Sequence, residues 1–196
     1  MKMQTKNSQG AIIAFTFLAM LLTITACKEK TSSATNPSVS QTKVKPPSID
    51  IHTAVITGNM DALKQHIAAG SNLNEKDPLG GSSPLISASL FGKTEMAKVL
   101  IDSGADLNFQ NNDGSTALIT ASFFGRPEIV KMLLAKGADK TIKNKYGQTA
   151  SESVSGTFTD VKSTYDAISK MLEPMGLKLD YAYLEKARPE IAAMLK

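Results

Sequence analysis

Two neighbouring strings of this chain are near copies of each other. GGSSPLISASLFGKTEMAKVLIDSGADLNFQ runs from Gly80 to Gln110, and DGSTALITASFFGRPEIVKMLLAKGADKTIK follows from Asp113 to Lys143, a period of about 33 residues. Each copy opens on a glycine-rich turn and a hydroxyl residue, Ser83 or Thr116. A short apolar segment then breaks at Gly92 or Gly125, and a second one closes on Gly104-Ala105-Asp106 or Gly137-Ala138-Asp139. Such a period constrains the fold more than composition does. A unit this small cannot bury its own apolar face, so it must stack on its neighbours.

The residues inside each unit predict a pair of short helices. Ser83 and Thr116 stand where an N-cap hydroxyl is wanted, and Pro84 takes the first helical position, where a missing N–H costs nothing. Leu85, Ile86 and Ala88, like Leu118, Ile119 and Ala121, give the inner helix its apolar face. Met96, Val99 and Leu100, and then Ile129, Val130, Leu133 and Leu134, do the same for the outer helix, which stops at Gly104 or Gly137. Neither helix would hold its shape alone at such length.

An incomplete unit precedes these two. Asp50 is a candidate N-cap, Ala54, Val55 and Gly58 match the inner helix and its break, and Leu63, Ile67 and Ala68 lead to a stop at Gly70. No turn precedes it, which suits an N-terminal cap, and one extra residue near Asp77 lengthens its spacing to the next unit. A fourth unit begins at Asn144-Lys145-Tyr146-Gly147-Gln148-Thr149-Ala150, then departs into polar Ser151 to Gly156, which predicts a short or frayed inner helix. From Thr159 onward Val161, Tyr165, Ile168 and Leu172 fall on one helical face, ended by Pro174 and Gly176. Asp180–Ala187 and Pro189–Leu195 predict one or two further helices.

The string Gly114-Ser115-Thr116-Ala117-Leu118, the Gly125 break and the Gly137-Ala138-Asp139 ending resemble an ankyrin repeat. The resemblance implies an all-α ankyrin-repeat solenoid: residues 49–150 hold about three repeats plus the start of a degenerate fourth, and residues 151–196 form a helical C-terminal cap. A separate interaction module is the other reading of that last region. The resemblance also implies where a partner would bind, at the hairpin tips and along the exposed side of the inner helices. The tips are Leu79, Gly80 and Ser82, then Asn112, Asp113 and Ser115, then Lys145, Tyr146 and Gln148. The inner-helix positions before each break are Ile56-Thr57, Leu90-Phe91 and Phe123-Phe124. Two readings of the large apolar residues stand side by side: Leu90, Phe91, Phe123 and Phe124 form an exposed interaction patch, or they pack into neighbouring repeats or under the C-terminal segment.

The N-terminal 26 residues read as a targeting signal. Lys2 and Lys6 make a positive start, and Ala11 to Ile24 is an apolar run shorter than the roughly 20 residues a membrane span needs. Its end, Ile24-Thr25-Ala26-Cys27, is similar to a bacterial lipobox; an ordinary secretory signal with an incidental cysteine is the other reading. That resemblance implies cleavage before Cys27 and acylation of its thiol, the only cysteine in the chain, with the body held at the outer rather than the inner membrane and facing the periplasm. Residues 27–48 are rich in Ser, Thr, Lys and Pro, too polar to offset the entropy of ordering. They read as a disordered tether spanning roughly 25 Å on average.

The formal charge of +4 comes from these leading segments. Lys2, Lys6, Lys28, Lys30, Lys43 and Lys45 face only Glu29 there, which leaves acids and bases nearly balanced from residue 49 onward. The body therefore offers no basic stripe for nucleic acid. Groups for catalysis are few. His52 and His66 are the only histidines and have no carboxylate at a metal-ligand spacing. Leu79-Gly80-Gly81-Ser82 lacks the Lys-Ser/Thr of a phosphate loop, and no serine sits in a Gly-x-Ser-x-Gly elbow. The expectation is a protein without enzyme activity, metal or cofactor, a monomeric body that binds another protein through the concave ankyrin surface while lipidated Cys27 anchors it to the membrane of a bacterial cell envelope. A periplasmic inhibitor or immunity protein against a toxic effector is a narrower form of this. An envelope enzyme or metal binder using His52, His66 or the C-terminal region is the alternative class.

Overall fold

The computed structural model describes residues 44–196, and within them the regular structure is helical, without strands. The signal segment, Cys27 and nearly all of the tether lie outside the described residues. Three helix pairs come first: α1 (Ile51–Thr57) with α2 (Met60–Ala68), α3 (Pro84–Phe91) with α4 (Thr94–Asp102), and α5 (Ala117–Phe123) with α6 (Pro127–Ala135). A single 3-10 turn, Glu152–Val154, stands where a fourth inner helix would begin. The chain ends in α7 (Phe158–Leu172), a second 3-10 turn at Glu173–Met175, and α8 (Tyr181–Met194).

The inner helices start where the hydroxyl and carboxylate caps place them. Asp50 accepts from the Thr53 N–H, Ser83 from Ile86 and Thr116 from Ile119, each satisfying one of the donors that a helix start leaves open. Stacking then buries nearly every residue of α3 and α5, with Leu85, Ala88, Leu118 and Ala121 at 1% exposure or less. One continuous core runs from Ile51 and Leu63 through Leu100 and Leu133 to Ala150, Val154, Ala187, Ile191 and Leu195. The outer helices also meet across repeats: Asp102 on α4 accepts from Lys98 at 2.7 Å and from Lys136 at 2.9 Å.

Those two lysines hold the Asp102 carboxyl at about 2, below its ordinary 3.8. A carboxylate whose folded pKa is depressed stabilises the fold above its unfolded pKa and loses that contribution as pH falls through the folded one. Removing the charge with Asp102→Asn should therefore lower the melting temperature slightly at pH 7, and the gap to wild type should close as pH drops from 3.8 towards about 2. Melting curves at stepped pH values check this. The effect stays small because the pair is solvated.

The C-terminal region sharpens the sequence expectation in two places. Helix α7 starts at Phe158, ahead of Thr159, because Thr157 and Asp160 form a reciprocal capping box. Helix α8 is one helix through Pro189, the first of the two forms that the sequence leaves open; the ring removes one backbone bond, while Leu184, Ala187 and Ile191 on both sides of it stay buried. The 3-10 turn has its own cap, in which the Thr149 N–H donates to Glu152 at 2.6 Å and the Glu152 N–H donates to the Thr149 hydroxyl at 3.2 Å. Polar Ser151 to Gly156 supports that one turn and no further helix.

Candidate functional site

The hairpin tips share one hydrogen-bond device. Asn111 Oδ1 accepts from the N–H groups of Asp113 (3.0 Å) and Ser115 (2.8 Å), and Asn144 Oδ1 accepts from Tyr146 and Gln148 (both 3.0 Å). Asp77 does the same for Leu79 (2.8 Å), Gly80 (2.8 Å) and Ser82 (2.6 Å) in a tip one residue longer. The residue that lengthens the repeat spacing thus sits in this loop. Burial works to raise the Asp77 pKa, but the backbone donors of Gly80, Leu79 and Ser82 outweigh it and hold the carboxyl below its usual value. Because an asparagine oxygen suffices at the two equivalent tips, Asp77→Asn should change stability little. Asp77→Ala strands its donors and should cost about 1–2 kcal/mol, read from urea unfolding of the two variants.

Successive tips are joined into a ladder. The Asn112 N–H donates to the Gly80 carbonyl at 2.9 Å and the Lys145 N–H to the Asp113 carbonyl at 2.8 Å. Gln110 reaches across to the Gly114 and Lys143 carbonyls. The outer ends of the repeats are laced in the same way, Asn74 accepting from the Asp106 N–H and Asn108 from the Asp139 N–H, each at 2.9 Å. A side chain carried on such a ladder is presented on a fixed backbone. Leu79 is 76% exposed and Tyr146 72%. Asn112, Asp113, Lys145 and Gln148 are exposed beside them, and Ser82 and Ser115 are half-buried.

The inner-helix positions are placed otherwise. Phe124 is buried, and Leu90, Phe91 and Phe123 are half-buried, so the exposed patch is not found and the packing beneath the C-terminal segment is. Phe123 lies edge-on to Phe124, with ring centroids 5.1 Å apart, and 4.6 Å from the ring of Tyr165 on α7. Phe158 stacks on Tyr165 at 5.7 Å. Together with Leu177 and Leu184 these side chains form a second apolar cluster, into which Leu90 and Phe91 also pack. The physical reason is area: four large apolar side chains at the ends of α3 and α5 gain more by covering than by solvation, and the apolar face of α7 together with Leu177 and Leu184 supplies the cover.

Two arginines frame this cluster. Arg188, nearly fully buried on α8, donates to the Ser153 carbonyl (3.3 Å), the Gly156 carbonyl (3.1 Å) and the Tyr165 hydroxyl (3.1 Å). The Tyr165 hydroxyl in turn donates to the Phe123 carbonyl. Burial raises the Tyr165 pKa, with Arg188 pulling it the other way, so the phenol keeps the proton it donates. Arg126 donates to the Leu90 carbonyl at 3.3 Å, and burial lowers its pKa.

His66 has a structural place. Its Nε2 lies 2.9 Å from the Ile49 carbonyl and its Nδ1 3.0 Å from the Ser71 hydroxyl. A carbonyl only accepts, so Nε2 carries a proton, and the histidine pins the incoming chain to α2. His52 is buried, with neither ring nitrogen hydrogen-bonded among the described residues. No group of three His, Cys, Asp or Glu side chains suited to a metal forms among the described residues. Nor is any helix there long and apolar enough to cross a membrane.

Comparison with known proteins agrees with this architecture. Residues 51–144 match the family model for ankyrin repeats in three copies. The human DNA-binding protein RFXANK is 42% identical over 59 residues, 30% of this chain and 23% of that protein. Human protein phosphatase 1 regulatory subunit 27 is 34% identical over 64 residues, 33% of this chain and 41% of that protein. The solved ankyrin repeat domain of Bcl-3, a member of the IkappaB protein family, superposes with a TM-score of 0.51 at 32% identity, covering 53% of this chain and 45% of that one. The chain thus spans less than half the length of these relatives.

Proposed function

We propose that this all-helical ankyrin-repeat chain is a protein-binding module that engages its partner along the ladder of hairpin tips, by binding rather than by catalysis. The observation that carries the reading is the exposure of Leu79 and Tyr146, at 76% and 72%, on loops locked by Asp77 and Asn144 and tied to the middle tip. Large side chains held in solvent on a fixed backbone lose little entropy on docking, and tyrosine is a frequent interface anchor. The ankyrin matches support the same class, since ankyrin repeats mediate protein–protein contact and one relative is named as a regulatory subunit. The near balance of charge on the body does not favour nucleic acid as the partner.

The finer part of the reading rests on sequence. Cys27, after Ile24-Thr25-Ala26, is acylated and holds the module at a bacterial envelope membrane, periplasm-facing. Each buried methylene contributes about 0.8 kcal/mol, so more than one acyl chain gives stable anchoring.

Affinity capture from solubilised envelope fractions tests the docking surface. A partner retained by wild type should be lost from Leu79→Asp/Tyr146→Ala, with unchanged melting of the body. A partner held equally by both would refute the tip assignment. Labelled palmitate should enter wild type and not Cys27→Ala, and equal labelling would remove the anchor.

A further inference from the structure

The two C-terminal helices are attached differently. Helix α8 belongs to the main core: Ala187, Ile191 and Leu195 pack with the repeats, and Lys140 donates to the Leu195 and Lys196 carbonyls at the end of the chain. Helix α7 contributes nothing to that core. Of its 15 residues only Tyr165 is fully buried. Phe158, Val161, Ile168 and Leu172 are half-buried in the second cluster, and Met171 is 66% exposed.

The stability of α7 as a helix is largely its own. Its capping box is internal, Thr157 with Asp160, and Lys162 pairs with Asp166 one turn on at 3.0 Å. It is flanked by exposed Gly156 and by Gly176 at a φ of 85°. A self-capped helix between two glycines, held by Tyr165 with its Phe123 and Arg188 hydrogen bonds, by Phe158 and by a rim of half-buried aliphatics, can leave its seat without unravelling. What it would uncover is the aromatic floor of Phe123 and Phe124, whose rings lie 4.6 and 6.3 Å from that of Tyr165.

We propose that α7 is a displaceable strap, seated on the inner-helix aromatic floor in the free protein and exchanged there for an amphipathic helix of the partner that carries a central aromatic residue. This rests on the protein-binding reading and adds a second contact to it. The chemistry of the incoming helix follows from the occupant it replaces: an aromatic ring to lie against Phe123, with a hydroxyl or N–H for the Phe123 carbonyl, and aliphatic residues one helical turn to either side.

A fluorescent peptide copying residues 157–173 is titrated into the full chain and into Tyr165→Ala and Ile168→Asp, each of which weakens the strap and leaves the floor intact. Apparent affinity scales with the fraction of open seats, so the variants should bind the peptide at least about tenfold more tightly than wild type. Equal affinity for all three proteins, or no binding to either variant, overturns the proposal. If Tyr165→Ala alone fails to fold, as judged by circular dichroism, Ile168→Asp carries the comparison. If both fail, α7 is an integral part of the fold and the strap is refuted. The peptide contains no tip residue, so its failure leaves the tip reading standing, and loss of a partner on tip substitution does not alter peptide binding.

Discussion

Leu118→Ala is expected to lower the unfolding free energy by about 3 kcal/mol, within the range of roughly 2–5 for emptying a fully packed leucine site. Leu118 is 1% exposed in α5, the inner helix of the middle of the stack, with α3 before it and the capping elements behind. In a linear array stability is a sum of unit and interface contributions, so a cavity here weakens a repeat and both of its contacts at once. Urea unfolding, followed by helix signal, measures the loss. A change below 1 kcal/mol would mean that the third repeat does not carry the stack.

The second large effect is at a glycine. Gly125 adopts a φ of 64°, and a Cβ built there would stand 2.7 Å from Leu184 Cδ2 and 3.5 Å from Ala187 Cβ on α8. Gly137 has a φ of 84° with nothing within 4 Å of such a Cβ. Gly137→Ala therefore isolates the left-handed backbone penalty, about 1–2 kcal/mol. Gly125→Ala adds overpacking, typically 1–3 kcal/mol more. The difference between the two variants, read from thermal or urea unfolding, reports the packing of α8 on the third repeat. Equal losses would show that α8 yields without cost.

Much of this fold is legible in the sequence because local chemistry and global stacking ask for the same residues. Asp50, Ser83 and Thr116 cap the inner helices as their positions suggest, and Gly104 and Gly137 turn the outer ones off. The start of α7 is displaced by its capping box, a local signal present in Thr157-Phe158-Thr159-Asp160 that the period of apolar residues does not reveal. The single helix through Pro189 is less legible, since a proline ring is tolerated there only because tertiary burial on both sides keeps the helix together.

The candidate site divides along the same line. Tip exposure can be read from the repeat, because the loop positions of an ankyrin unit point away from its stack. The fate of Phe123 and Phe124 cannot, since both exposure and burial suit an aromatic pair at the end of an inner helix. What decides it is Tyr165, 42 residues on, whose ring and hydroxyl meet Phe123 only once α7 is in place. The tip device itself has a sequence signal, an Asp or Asn at positions 77, 111 and 144 ahead of each glycine, and it explains why the ladder is rigid enough to present Leu79 and Tyr146.

Photo-crosslinking in intact cells tests the central claim most directly. A photoreactive residue is placed at Leu79 or Tyr146 on the tips, or at Lys98 or Lys131 on the exposed side of the outer helices. The tips are expected to yield a discrete adduct with one partner protein and the outer helices none. Adducts from the outer helices alone would contradict the assignment of the docking surface to the hairpin ladder.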